Sequence, residues 1–426
     1  MRVKYIIKIL FLFTIFFMSY AKVFAGNSIA FITDILNIAL FIYLIQSKKI
    51  SSIISVIGKP VSVLFLVLII VGLFSGIINS LSPITIFWGF RTFYRFSIFF
   101  LACIAVLSIE DIKYYNKWLP KILIINFAVS AIQYFILNER GDLNKGTLGD
   151  NSGLYILCYI CLAYFILAYI YNRISLKTMF IYISLILLIA IFSELKVIFF
   201  LIPFTYILSI IIGKKSIKTV SSIIFISVFS FIGLFLITFF YGAKYTSFLT
   251  DQEEIQAYAF EAGHYNFQEG GLNRGTALTD IDNIFYHNNP IERYFGMGIG
   301  SASPSPLINS SFFNRYGSQL SYFYFLTSYL LIEQGWLGFL LYVTIWTILV
   351  FRLRNLKIKN EEFNFWKSFS IILLVQIILS IWYNASLVRD DCWFLFLYLS
   401  IPFIYYKQHL LRSKISHIIK NKNEID

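Results

Sequence analysis

A succession of apolar runs, most of them close to twenty residues long, decides what this chain can fold into. A hydrocarbon layer about 30 Å thick takes roughly 20 residues of helix to cross, and the backbone inside it must satisfy its own polar groups. On that ruler about twelve spans are expected. Their approximate limits are 5 to 24, 28 to 46, 61 to 80, 87 to 107, 122 to 137, 152 to 171, 178 to 194, 197 to 212, 220 to 241, 321 to 351, 367 to 384 and 391 to 406. The expected fold class is all-α: a polytopic integral membrane protein with one large extracytoplasmic loop that contains short helices. Composition agrees, with 58% hydrophobic residues, 13% charged and a mean hydropathy of +0.75, outside the range of a soluble domain.

A net charge of +13 would point to nucleic acid in a soluble chain. Here the basic residues stand in short clusters between apolar runs, where they set orientation, and no nucleic-acid partner is expected. Cys103, Cys158, Cys161 and Cys392 all fall inside apolar runs, so neither a disulfide framework nor a zinc site is indicated. Cys158 and Cys161 have C-x-x-C spacing, but an apolar helix gives a thiolate no support. The histidines show no ligand spacing, and neither a metal nor a cofactor is expected.

With the N-terminus in the cytoplasm, Lys48, Lys49, Lys59, Lys113, Lys117, Lys121, Arg173, Lys177, Lys214, Lys215 and Lys218 fall inside, as do Arg352, Arg354, Lys357, Lys359 and the C-terminal basic residues. That is the bias of the positive-inside rule. The chain then divides into a bundle of about nine spans over 1–241, an extracytoplasmic loop over 242–320, a bundle of about three spans over 321–406 and a basic cytoplasmic tail over 407–426. Arg2, Lys4 and Lys8 before an apolar run, and Val23-Phe24-Ala25-Gly26 after it, have the pattern of a secretory signal. A retained first helix is the expectation adopted.

The long polar loop carries its own helix signals. Thr250 with Glu253 has capping-box spacing for a helix through Ala262, and Thr279 with Asp282 predicts another that stops before Pro290. Gly296-Met297-Gly298-Ile299-Gly300 matches no phosphate-binding fingerprint and is expected to be a close backbone turn on the outer surface. No internal repeat is evident.

A charge deep in a span costs about 2.5–3.5 kcal/mol, so one retained there needs a partner or a task. Arg91 and Arg95, four apart near the outer end of the fourth span, put two guanidiniums on one helix face, suited to a phosphate or carboxylate, or to the lipid headgroups. Lys196 follows Glu194 in an outer turn, either paired with it or facing a ligand. Arg274 follows Gly270-Gly271 and precedes a helix start, a place for an anion or for a pair with Asp280 or Asp282. Glu333 lies in a run too long for a simple span, which must start outside the membrane or break near Gly335. It is placed either to take a proton from an acceptor hydroxyl or to balance an arginine. Arg315, Asp390 and Asp391 are expected to be solvated charges.

Several of these stretches together resemble the O-antigen polymerase and ligase superfamily of membrane glycosyltransferases. Gly146-Thr147-Leu148-Gly149-Asp150-Asn151 is similar to the glycine-rich opening of a middle span, and Ser193-Glu194-Leu195-Lys196 to a serine-plus-basic turn, with lysine where arginine is common. Arg274 fits the arginine early in the family's large loop. Asn289-Pro290 through Gly300 fits a later part of that loop, and Glu333-Gln334-Gly335-Trp336-Leu337-Gly338 the end of the following helix. Ligases of this family carry a histidine where this chain has Tyr324, which favours a polymerase.

The resemblance implies an enzyme of the bacterial inner membrane that moves a growing glycan from undecaprenyl pyrophosphate to a new lipid-linked repeat unit. A ligase, or a transporter of lipid-linked oligosaccharide, is the alternative. It implies membrane lipids, a chain-length regulator and a flippase as partners. The catalytic pair would be Glu333 and Arg274, with Arg91, Arg95, Lys196 and Arg274 binding substrate.

Overall fold

In the computed structural model, residues 3–213, 271–287, 289–305 and 309–423 are described, with scattered positions between 227 and 256. Among them the fold is helical, without strands. The helices in order are α1 (Lys4–Ala25), α2 (Phe31–Gln46), α3 (Ile50–Ile57), α4 (Lys59–Ile78), α5 (Pro83–Val106), α6 (Ile109–Phe135), α7 (Asn151–Ile170), α8 (Leu176–Phe192) and α9 (Lys196–Ile212). After the polar stretch come α10 (Ala277–Phe285), α11 (Pro290–Phe295), α12 (Ser311–Leu320), α13 (Leu326–Asn355), α14 (Glu361–Tyr383) and α15 (Trp393–Asn423).

Among the described residues, eight helices, α1, α2, α4, α5, α6, α7, α13 and α14 with Ser28 as the start of the second, are long and apolar enough to cross a membrane. Two shorter apolar helices, α8 and α9, lie with them. The ninth expected span, 220 to 241, falls largely outside the described residues, as does the helix expected from Thr250 to Ala262. The outward faces suit lipid rather than water. On α4, Val63, Leu66, Ile70 and Ile77 are each more than half exposed, at 57%, 57%, 54% and 66%.

α7 is buried along nearly its whole length, with α8, α9 and α14 packed around it. α5 packs against α2 and α15, and α13 against α4 and α14. α1 is part of the same body: Ile7 and Leu10 are fully buried, and a π-helical turn at Phe13–Phe17 leaves the Ile15 carbonyl to accept from the Thr147 hydroxyl.

α15 runs unbroken from Trp393 to Asn423, so the basic stretch expected from 407 continues the same helix. Lys407 donates to the carbonyls of Ile104, Ala105 and Leu107, closing the C-terminal end of α5, where a helix dipole favours a cation. The start expected at 321 also shifts. Ser321 is left-handed, Tyr322–Tyr324 forms a short 3-10 turn, and α13 begins at Leu326.

α13 is discontinuous. Gly335, at φ 63° and ψ −172°, interrupts it, as its length predicts. A helix that stops inside a bundle leaves carbonyls without partners, and each needs a donor. The polar segment supplies most of them. Tyr286 Oη donates to the Leu331 carbonyl at 2.6 Å and Met297 N to that of Ile332 at 2.7 Å, while Ser75 Oγ of α4 takes that of Glu333 at 3.0 Å.

The glycine-rich turn is therefore not on the outer surface. Residues 298–301 are buried between α4, α5 and α13. The approach is close because both partners are glycine: a Cβ on Gly89 of α5 would stand 2.3 Å from Gly300 N. α10 begins at Ala277 with no side-chain cap, so Thr279 lies inside it rather than before it, and it stops before Pro290 as expected.

Replacing Gly335 with alanine tests this joint. Its Cβ would fall 2.4 Å from the Tyr294 carbonyl, and the positive φ alone costs an L-residue about 1–2 kcal/mol. A loss above about 2 kcal/mol is expected, read as a lowered thermal midpoint of the purified full chain in detergent.

Candidate functional site

One end of the bundle holds a cavity of about 520 Å³. Its walls come from separated parts of the chain: Lys22 of α1, Arg91 and Arg95 of α5, Asp150 just before α7, Tyr329 of α13, and Arg389-Asp390 in the turn before α15. Pro304, Ser305, Asn309, Phe313 and Phe323 cover another side. Four cations, Lys22, Arg91, Arg95 and Arg389, stand against two carboxylates, Asp150 and Asp390, so the lining favours an anion.

Arg95 is the hub. It is 4% exposed, and its guanidinium donates to Asp390 Oδ1 at 2.9 Å, to Asp34 Oδ1 at 3.4 Å and to the Val388 carbonyl at 2.8 Å. A planar fork with several donors is what a buried site with two carboxylates and a carbonyl requires. Arg91, one helical turn earlier, donates Nε to Asp34 Oδ2 at 2.7 Å and lies over Trp88, its guanidinium carbon 4.4 Å from the ring centre. Lys22 reaches Asp390 at 3.3 Å. Arg389 lines the cavity and makes no ion pair among the described residues.

Asp390 and Asp391 are not solvated charges. Both lie in the turn between α14 and α15. Burial alone would push the Asp390 carboxyl up, but Arg95, Lys22 and Arg91 outweigh it and hold that carboxyl well below the usual carboxylate range. Asp391 is fully buried and accepts from Gly149 N at 3.1 Å. Burial and the neighbouring Asp150 push its carboxyl well above the usual range against the pull of Lys22.

A carboxyl raised on folding holds a proton that the unfolded chain releases. Stability from Asp391 is thus complete below the ordinary carboxylate range and is lost as pH rises toward the raised value. Asp391→Asn retains an acceptor for Gly149 and gives an amide in place of the acid proton. It is expected to flatten that part of the thermal midpoint's pH dependence, worth up to about 1.4 kcal/mol per pH unit.

The other expected residues share this end of the bundle but not the cavity. Lys196 sits 3.4 Å from Glu194 Oε1, the local pair foreseen as one alternative. Burial pushes the carboxyls of Glu194 and Asp142 up, and Lys196 opposes it. Arg274 is 6% exposed, donates Nε to the Tyr383 carbonyl at 2.8 Å and lies over the rings of Phe325 and Tyr383. It pairs with neither expected aspartate. Asp282 instead bonds Arg293 at 2.9 Å and Trp336 Nε1 at 2.8 Å, and Asp280 makes no ion pair among the described residues.

Glu333 neither lines the cavity nor balances an arginine among the described residues. It is fully buried and accepts from Gly300 N at 2.6 Å, Ala302 N at 3.0 Å and Ser303 Oγ at 2.7 Å. Arg315 is exposed, as expected. Sequence reasoning missed Lys22, Asp34, Asp150, Arg389 and the role of Asp390. The cost of charge inside a span applies equally to Lys22 and Asp34, and would have found both. No known protein family, curated protein or solved structure matches the chain.

Proposed function

We propose that this protein is a membrane glycosyltransferase that polymerises lipid-linked oligosaccharide repeat units at the outer face of a bacterial inner membrane. In this reading the bundle has about twelve spans, with the cavity at its extracytoplasmic end. The single observation that carries it is the cavity: four cations, two of them arginines on one helix face, around a space large enough for a pyrophosphate and an adjoining sugar. Trp88, Phe313 and Tyr329 supply rings on which sugars stack. The resemblance of several sequence stretches to the polymerase and ligase superfamily supplies the reaction class.

The donor's pyrophosphate sits between Arg91, Arg389 and Lys22, and Arg95 holds the wall. An acceptor hydroxyl attacks the anomeric carbon, the bond from that carbon to the pyrophosphate oxygen breaks, and the cations stabilise the charge on the leaving group. Glu333 does not touch the reacting groups in this arrangement. Lys196 and Arg274 stand outside it, so substrate contact is assigned to the cavity cations instead.

The test is the glycan profile of cells that lack the native copy and carry a variant. Arg91→Ala is expected to leave surface glycan of a single repeat unit, because export and attachment still operate, while Lys196→Ala keeps the wild-type ladder. Loss of all surface repeat units with Arg91→Ala would point to transport or ligation. An unchanged ladder would overturn the assignment.

A further inference from the structure

Glu333 is a carboxylate buried inside the bundle with no cation against it among the described residues, and such a group carries a cost that a tether alone need not incur. Its third partner leads back to the cavity. Ser303 Oγ donates to Glu333 Oε1 at 2.7 Å, Tyr329 Oη donates to Ser303 Oγ, and Tyr329 lines the cavity. The titratable groups facing Glu333 are the phenols of Tyr94 from α5, Tyr322 from the 3-10 turn and Tyr329 from its own helix.

We propose that Tyr329, Ser303 and Glu333 form a proton relay out of the cavity, with Tyr329 as the group that touches the acceptor sugar and Glu333 as the terminal proton store. The inference rests on the polymerase reading above. Both hydroxyls already donate toward the carboxylate, so one concerted shift completes the transfer. As the acceptor oxygen bonds to the anomeric carbon, its proton passes to Tyr329 Oη. The tyrosine proton passes to Ser303 Oγ and the serine proton to Glu333, which becomes the neutral acid, while the pyrophosphate leaves with the electron pair of the broken bond. Tyr329 and Ser303 end unchanged in charge, and Glu333 returns its proton to water between turnovers. The break at Gly335 has a use here. It holds the loop carrying Ser303 against α13, so a carboxylate one helical turn beyond Tyr329 connects to it through a residue from another segment.

The experiment uses the purified full chain in detergent and lipid-linked repeat units extracted from cells deleted for this protein. Wild type is expected to elongate these units, with a rate that falls as pH drops because Glu333 must be ionised to receive the proton. In Tyr329→Phe, kcat is expected to fall about 100-fold or more with little change in KM, and the acidic limb of the pH profile should vanish. Should Tyr329→Phe not fold, Ser303→Ala cuts the same chain while leaving Glu333 both backbone donors, and is expected to give the same two changes. Elongation within about twofold of wild type with the acidic limb intact, in whichever variant folds, overturns the relay and leaves the polymerase reading standing. Wild type that does not elongate the extracted units overturns the polymerase reading and the relay with it.

Discussion

Arg95→Ala is expected to lose about 3–5 kcal/mol of stability and to fail to accumulate as a folded protein. The guanidinium is 4% exposed and joins Asp34 of α2, Asp390 and the Val388 carbonyl of the turn before α15, so its removal takes away the most deeply buried cation of the cluster and its charge-assisted bonds, leaving only Arg91 and Lys22 to balance the two carboxylates. Domains of ordinary stability have only about 5–15 kcal/mol in total, and a loss of this size consumes much of it. Arg95→Lys is no full rescue, because the guanidinium reaches Asp390 and the Val388 carbonyl from two separate nitrogens, and an ammonium has its donors on a single one. Thermal unfolding and size-exclusion profiles of the purified variants check this. Arg95→Ala with a wild-type midpoint would show that the cluster does not hold these segments together.

Arg389→Ala is expected to do the opposite: fold normally and lose function. Its guanidinium lines the cavity but makes no ion pair among the described residues, so its removal leaves no buried charge stranded. A cation aimed at the charge of a leaving group is worth about 100- to 1000-fold in turnover, and kcat/KM for elongation of lipid-linked units is expected to fall by that factor. A midpoint near wild type alongside that loss separates binding chemistry from architecture. Normal turnover would place the pyrophosphate elsewhere.

The two arginines behave differently because of what surrounds them, and the sequence revealed only part of that. The cost of a charge in an apolar span marked Arg91 and Arg95, and their spacing put those two on one face, but it did not mark Arg389, and nothing local says that Asp34 and Asp390 share Arg95. Asp390 follows Arg389 at the edge of an apolar run, where a charge ordinarily meets water, and its burial is set by helices remote in sequence. Gly335 was legible for a mechanical reason: α13 is too long to cross in one piece, and glycine is where it breaks. Glu333 was legible as an anomaly but not as an anchor. Its donors are backbone amides of Gly300 and Ala302, and backbone amides carry no residue signature. The same limit moved the glycine-rich turn from the surface to the interior, since glycines that permit a turn and glycines that permit close packing read alike in one dimension.

The most direct measurement is a cryo-electron microscopy structure of the full chain with undecaprenyl pyrophosphate. The account predicts the two phosphates between Arg91, Arg389 and Lys22, with the isoprenoid leaving toward the lipid-facing side. Phosphates bound at Lys196 or Arg274, with the cavity holding none, would contradict it.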